Sequence, residues 1–325
     1  MSVEDETSGW HLTESDPGIF TELLKTLGVP LIVDDLYSLD SESLAALQPL
    51  RALIFLFKWL PSSQDEAAPQ SGGEYDTDFA GFFAHQVVNN ACATLAVLNA
   101  LGNIPSLTAG SQLTDLMNFT AGMDPQTRGL VITSADWLRE AHNALSPPHA
   151  ISLDGLGLPK KSEDAYHFVV YLPSMGALYE LDGLRQHPVR HGPFEGADGN
   201  WVQKARDVIE VRIATYPEGS LEFSLLALHD DPLPIYQKQL EHLQTCGDST
   251  GVVELVNKIA DENSKRERWA FENSLRRHNY VGLVHALLLA FAKADKLSEA
   301  RQSALKLMQD RVETRRKKGE NMEED

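Results

Sequence analysis

The stretch FFAHQVVNNACATLAVLNALG, Phe82 to Gly102, holds Cys92, one of only two cysteines in a chain of 325 residues. Two asparagines precede the cysteine and an apolar, helix-like run follows it. Asn89 or Asn90 can cap a helix running from about Ala91 to Leu101, and Gly102 can close it. Cys92 then falls in the first helical turn. A thiol acts as a nucleophile in its thiolate form, and the free N–H groups and dipole of a helix start favour that form. The competing reading is a buried core thiol, the commonest fate of a free cysteine. Gln86 lies six residues earlier. Its carboxamide can donate to the oxyanion of a tetrahedral intermediate, with the Cys92 N–H as a second donor. Otherwise it is a loop residue satisfying backbone carbonyls.

A nucleophilic thiol needs a base, and the chain offers 11 histidines. The segment AYHFVVYLPSMGALYELDGL, Ala165 to Leu184, singles one out. It reads as two strands flanking a turn over Pro173 to Gly176. A turn centred between Ser174 and Met175 sets Tyr171 opposite Leu178, Leu172 opposite Ala177 and His167 opposite Asp182. Directly opposed strand residues hold their Cβ atoms about 4.5–5.5 Å apart. A carboxylate there can orient the imidazole and stabilise the imidazolium. Ordinary strand registers also produce such pairs by chance.

Working outward, ESDPGIFTELLKTLG reads as a helix capped by Asp16, with Pro17 in its first turn, Gly28 at its end and an apolar stripe through Phe20, Leu23, Leu24 and Leu27. A short helix is expected from Asp40, and a doubly buried strand in ALIFLFKWL from Ala52. Pro61 to Glu74 has loop composition. Thr133 to Leu145 reads as a capped helix, and Ser146 to Asp164 as a long Pro/Gly-rich connection. Strands are expected near Glu210–Tyr216 and Glu222–His229. Beyond Leu233 only helical spacing remains, as in Val252, Leu255, Val256 and Ile259. The expected division is therefore an α/β domain over 8–231, a helical extension over 232–318 and an acidic tail over 319–325.

Composition narrows the function classes. Hydrophobic residues make up 42% of the chain, enough for a core, and the formal net charge is -19. Such an acid excess argues against nucleic acid or anionic membrane as a partner and suits a basic protein surface. Two cysteines cannot build a disulfide framework. The polar, acidic start MSVEDETSGW is no signal peptide. The longest apolar runs are too short to span a bilayer. A soluble chain of the cytoplasm and nucleus is expected. The cysteines and histidines lack metal-ligand spacing, so no metal is expected.

Taken in order, Gln86, Asn90 and Cys92, then HFVVYLPSMGALYELDGL with His167 and Asp182, resemble the ubiquitin C-terminal hydrolases, the papain-like thiol deubiquitinases. ESDPGIF, FTAGMDPQTRGL and FSLLALHDDPLPIYQKQLEHLQ are also similar to that family, and the likeness runs from about Trp10 to Leu243. It implies an α/β (α+β) fold with a central antiparallel sheet flanked by helices, and no cofactor. It implies that Cys92 attacks the carbonyl of ubiquitin's C-terminal glycine, His167 moves the proton, Asp182 orients His167 and Gln86 stabilises the oxyanion. Asn90 is then a helix cap. In this family the connection spanning 145–164 crosses over the active site and limits the leaving group. The resemblance also makes Glu14 and Asp34 ubiquitin-contacting acids, suited to the two arginines of ubiquitin's tail. Taken alone, Glu14 could be helix-flanking charge and Asp34 a turn residue.

The extension adds a second expectation. RRHNYVGLVHALLLAFAKADKL, Arg276 to Leu297, resembles the C-terminal segment of the proteasome-associated member of that family, which docks on a ubiquitin receptor of the proteasome's regulatory particle. A short helix apolar on nearly every face must bury against something. The chain departs from the family by staying helical through SEARQSALKLMQDRVETRRKK, where a frayed basic tail is expected. RRKK, Arg315 to Lys318, reads as a nuclear signal, a proteasome contact or a solvated helix end. Cys246 lacks a helix-start setting and reads as a non-catalytic thiol. The expected activity is a proteasome-associated deubiquitinase; the alternative is a ubiquitin-binding proteasomal scaffold with secondary catalysis.

Overall fold

The computed structural model describes residues 9–58, 71–146, 166–194, 200–216, 223–246 and 249–320. Most of the 61–74 loop, the 145–164 connection from residue 147 on, and the end of the acidic tail lie outside the described residues.

Among the described residues, seven strands form one sheet: β1 (Leu31–Asp35), β2 (Leu50–Lys58), β3 (Glu74–Tyr75), β4 (Tyr166–Ser174), β5 (Ala177–Leu181), β6 (Val189–Pro193) and β7 (Phe223–Asp230). Their order is β1-β7-β2-β4-β5-β6-β3, and every pairing is antiparallel. The central strands alternate between two cores. Ile54, Phe168, Val170 and Leu172 face one; Leu53, Phe55, Val169 and Tyr171 face the other. A sheet buried on both faces reads in sequence as a continuous apolar run, which is why ALIFLFKWL shows no alternation.

Helices α1 (Pro17–Thr26) and α3 (Cys92–Leu101) pack in the first core, where α3 is buried nearly all round. Asp16 caps α1 with its side chain on the Ile19 N–H, and Asp40 caps α2 (Ser41–Ala46) on Glu42 and Ser43. Helices α4 (Ser111–Thr120), α5 (Pro125–Thr133) and α6 (Asp136–Asn143) follow α3. The helix expected over Thr133–Leu145 is thus divided: Thr133 ends α5, and α6 starts at Asp136.

Glu210–Tyr216, expected to be a strand, instead ends α7 (Asn200–Ala214). Trp201, Val202, Ala205, Ile209 and Arg212 are buried at helical spacing, while Val211 is 54% exposed. The alternation of Val211, Arg212 and Ile213 imitated a strand because the polar member is the one turned inward.

The hairpin register also differs from the expected one. The turn is Met175–Gly176, with φ of 48° and 75°, and a two-residue loop with both residues left-handed is the favoured hairpin connection. Tyr171 therefore faces Glu180 and Leu172 faces Tyr179. His167 is not directly opposite Asp182, which lies one residue beyond the end of β5. A register change of two residues leaves every side chain on its face, so the two remain diagonal neighbours.

After β7 come α8 (Pro232–Cys246) and α9 (Ser249–Arg277), then α10 (Val281–Lys293) and α11 (Leu297–Glu320). The packing does not divide at Asp231. One compact unit takes in the sheet, its helices, α8 and α9 through Arg277; a second begins at His278 and carries α10 and α11. Helix α9 lies on α1: a Cβ at Gly18 would come within 2.9 Å of the Trp269 ring, and Asn273 Nδ2 donates to the Gly18 carbonyl at 3.0 Å. Ion pairs surround that contact, Arg276 to Asp16 at 2.8 Å, Arg277 to Glu22 at 3.0 Å and Arg266 to Asp231 at 2.6 Å.

Candidate active site

Cys92 is the first residue of α3, so its N–H is among those without an intrahelical partner. The expected cap is absent. Ala91 precedes the helix, no side chain caps it, and Asn90 is left-handed at φ 66° with its amide directed elsewhere. Asn90 Nδ2 donates to the Trp10 carbonyl at 3.0 Å.

His167 stands at the second residue of β4, beside Asp182 at the neighbouring strand's end. Its Nε2 lies 2.6 Å from Asp182 Oδ1, and both side chains are buried. Cys92 is within hydrogen-bonding reach of the same ring, and with Nε2 committed to Asp182 the thiol takes the Nδ1 edge. Burial alone would lower the His167 pKa. The Asp182 carboxylate and then Cys92 outweigh it and raise the pKa to about 9. Burial pushes Asp182 the other way, and the charge of His167 with its hydrogen bond holds the carboxyl below the usual value. The Leu184 N–H adds a further bond to Asp182 Oδ1 at 2.9 Å, and Arg185 Nε stands 3.7 Å from Oδ2. The ring is also braced from behind. Phe57, its cross-strand partner, meets it edge-on at 5.8 Å, and the buried Arg212 guanidinium lies 4.2 Å over the Phe57 ring. Arg212 pairs with Glu180 at 2.5 Å and donates to the Tyr171 hydroxyl at 3.0 Å. Ser71 donates to the other Glu180 oxygen.

Gln86 comes from the extended segment before α3. Asn99 in the last turn of α3 and Asn103 just beyond its end bond the backbones of Ala84 and Phe82 through both their oxygen and nitrogen atoms. Arg128 Nη1 donates to the Phe83 carbonyl at 2.5 Å, and the His85 N–H to the Pro125 carbonyl at 3.0 Å. The Gln86 N–H then donates to the Gly183 carbonyl at 2.7 Å, tying the glutamine to the turn that carries Asp182. Gly183 packs closely on that segment: a Cβ there would sit 3.1 Å from the Gln86 nitrogen. Gln86 Oε1 is buried without a partner, so this end of the carboxamide has hydrogen-bonding capacity to spare. Turning about χ3 exchanges it with the NH₂ donor.

The structure therefore brings Cys92, His167 and Asp182 together and fixes Gln86 to the same turn. Glu14 and Asp34 stand apart in character. Glu14 is open to solvent, 58% exposed at its side chain and 3.4 Å from Arg276. Asp34 is 15% exposed and engaged by Lys265 at 2.8 Å and His229 at 3.0 Å. Burial would raise the Asp34 pKa, but those two partners hold it down. The sequence reading missed Arg212, Glu180 and Phe57, which support the histidine. Asn99 on an otherwise apolar helix, with Asn103 just after it, was the visible sign that the loop before Cys92 is held in place.

Comparison with known proteins agrees with this geometry. The family described as ubiquitin carboxyl-terminal hydrolase, family 1, matches residues 10–214, and a second description, ubiquitin carboxyl-terminal hydrolases, matches residues 252–297. The chain belongs to the ubiquitin carboxyl-terminal hydrolase family, cysteine peptidases that act as deubiquitinases. It is 38% identical to ubiquitin carboxyl-terminal hydrolase ubh-4 of Caenorhabditis elegans, over 90% of each chain. It is 36% identical to ubiquitin carboxyl-terminal hydrolase 2 of Schizosaccharomyces pombe, over 88% of this chain and 93% of that one. Among solved structures, Trichinella spiralis UCH37 bound to ubiquitin vinyl methyl ester superposes with a TM-score of 0.65 at 36% identity, covering 80% of this chain and 99% of that one.

Proposed function

We propose that Cys92, His167, Asp182 and Gln86 carry out hydrolysis of the bond after the C-terminal glycine of ubiquitin. The observation that supports this most is the buried His167–Asp182 pair with Cys92 at the ring's other edge, on the first residue of a helix. His167 first takes the Cys92 thiol proton, and the sulfur then attacks the glycine carbonyl carbon. The carbonyl oxygen becomes an oxyanion, met by the Cys92 N–H and the Gln86 amide. Collapse expels the amine, which leaves with the proton from His167. Water then attacks the thioester with His167 as base, releasing the ubiquitin carboxylate and the thiol. Asp182 keeps the imidazolium oriented throughout.

The test is covalent capture. Ubiquitin vinyl methyl ester should label the chain at Cys92 one to one, and Cys92→Ala should abolish both labelling and turnover while ubiquitin still binds. Comparable turnover by Cys92→Ala would remove the mechanism. Cys246→Ser should be near-silent. Glu14, the more open of the two acids, is the better placed to meet a basic ubiquitin tail.

The reading extends to a partner. The segment 276–297 contains a dock for a ubiquitin receptor of the proteasome's regulatory particle, in a protein of cytoplasm and nucleus. Arg276 and Arg277 are tied into the catalytic unit by Asp16 and Glu22, so the docking surface starts at about His278. The exposed apolar residues of α10 favour this, and they are also what a scaffold with secondary catalysis would need.

A further inference from the structure

Four consecutive backbone carbonyls near the start of the chain are each taken by a different side chain. Gly9 accepts from Asn143 Nδ2 at 2.7 Å, Trp10 from Asn90 Nδ2 at 3.0 Å, His11 from His142 Nε2 at 2.7 Å and Leu12 from Ser146 Oγ at 3.2 Å. The His11 N–H donates back to Asn143 Oδ1 at 3.0 Å. This segment forms no helix or strand, so side chains satisfy its backbone in place of a ladder. Three of the four pins come from the end of α6 and just beyond it. The fourth, Asn90, comes from the turn that delivers Cys92.

That turn is unusual. Asn90 is left-handed, a conformation that asparagine tolerates better than most residues but that something must still hold. The Asn90 side chain does not cap α3; it reaches back to Trp10. His142 anchors the same strap to α3 at a second point. With its Nε2–H given to the His11 carbonyl, its Nδ1 accepts from Thr94 Oγ1 at 2.7 Å. Burial lowers the His142 pKa to about 4, so the ring stays neutral and keeps that pattern near neutral pH. The strap is thus tied to the residue two before Cys92 and, through His142, to the helix turn after it.

We infer that Asn90 is a positioning residue for the reaction: its left-handed backbone, anchored through Trp10 to the N-terminal strap, aims the Cys92 N–H at the substrate's carbonyl oxygen. The inference rests on Cys92 being the nucleophile. The Cys92 N–H belongs to the Ala91–Cys92 peptide, whose carbonyl accepts from the Leu95 N–H at 2.9 Å; the Asn90 backbone sets how the chain enters that first turn, and an oxyanion donor works only when fixed about 2.7–3.1 Å from the developing charge.

Two substitutions test it. Asn90→Gly keeps the left-handed φ without strain and loses the amide. Asn90→Asp keeps the shape but cannot donate to a carbonyl. Both should lower kcat on a ubiquitin C-terminal amide roughly 10- to 100-fold, the cost expected of a small misplacement, with KM little changed. Carbamidomethylation of Cys92 by iodoacetamide, followed on the Cys92 peptide by mass spectrometry, should stay within about twofold of wild type. In that reaction sulfur displaces iodide at a saturated carbon and no oxyanion develops, so the donor is not needed. A kcat within twofold of wild type in both variants would overturn the inference. So would a fall in hydrolysis matched by an equal fall in alkylation, which is the mark of a site that has lost its fold. Cys92→Ala, assayed alongside, separates the two readings: if it stays active the mechanism fails, and if it alone is dead while both Asn90 variants are fully active, only the positioning role fails.

Discussion

His167 has a carboxylate on one side, a thiol on the other and an aromatic ring behind it, and these neighbours set its pH behaviour. A pKa raised to about 9 means that the folded site holds the proton that the leaving amine needs. The alkaline limb of kcat/KM should therefore lie near pH 9 and move down in Asp182→Asn, which removes the main charge raising it. The same variant should cut turnover roughly 10³- to 10⁴-fold, since a mis-oriented imidazole is the usual result of losing this carboxylate. A limb that stays in place would take Asp182 out of the site. The sign for stability follows from linkage. His167 is raised from 6.5, so its contribution is complete below 6.5 and is lost as pH climbs through about 9. Asp182 is lowered from 3.8, so its contribution is complete above 3.8 and is lost on acidification. The Tm gap between wild type and Asp182→Asn should be widest between those two values and close above pH 9. Gln86→Ala should cost about 10²- to 10³-fold in kcat if the amide is an oxyanion donor of ordinary worth; a change within twofold would exclude it. At this scale the pair His167 and Asp182 was legible despite a misplaced turn, because the error of two residues kept both on one face. Asn90 was misread, since a local cap and a long-range anchor look alike in sequence.

Among the elements, the legible ones carried their own punctuation. Asp16 and Pro17 start α1, Asp40 starts α2, and β2 carries an unbroken apolar run from Ala52 to Phe57. Helix α7 was lost because Arg212 is buried by pairing with Glu180 and stacking on Phe57, a tertiary arrangement with no local signature. Helix α9 was recognised as a helix, but its attachment was not legible. Its bond to α1 depends on Gly18, Trp269, Asn273 and scattered charges far apart in the chain. The Gly18–Trp269 contact can be isolated by a double-mutant cycle. In an open helix Gly→Ala gains roughly 0.8–1 kcal/mol from propensity. At Gly18 the added Cβ would meet the base of the Trp269 ring at 2.9 Å, and overpacking of this kind costs about 1–3 kcal/mol. Gly18→Ala should therefore lower stability in the wild-type background and become neutral or stabilising when Trp269→Ala has removed the ring. Denaturant unfolding of the four chains measures the coupling. Equal effects of Gly18→Ala in both backgrounds would mean that α9 does not press on α1.

For the whole molecule, the contrast lies between a unit that hides its apolar residues and a helix that does not. Through Arg277 the chain folds around two cores, and even the charges of α9 are mostly paired. In α10 no residue is buried, and Leu287 and Leu288 are each 50% exposed. A single exposed leucine is ordinary; an apolar helix exposed on all faces is a binding surface or a liability. Leu287→Asp/Leu288→Asp distinguishes a partner dock from a piece of core. Half-exposed leucines contribute little to the monomer, so the double variant should keep its Tm within a degree or two and its turnover on small ubiquitin derivatives. Burying one leucine is worth roughly 1.5–3 kcal/mol, and each 1.4 kcal/mol is about tenfold in affinity. Loss of two such contacts, with a carboxylate forced into each place, should weaken binding to the regulatory-particle ubiquitin receptor by well over tenfold. Titration of the purified receptor against wild type and variant reads this directly. A variant that unfolds would return α10 to the core. A stable, active variant that binds the receptor as tightly as wild type would take the docking surface off this helix altogether.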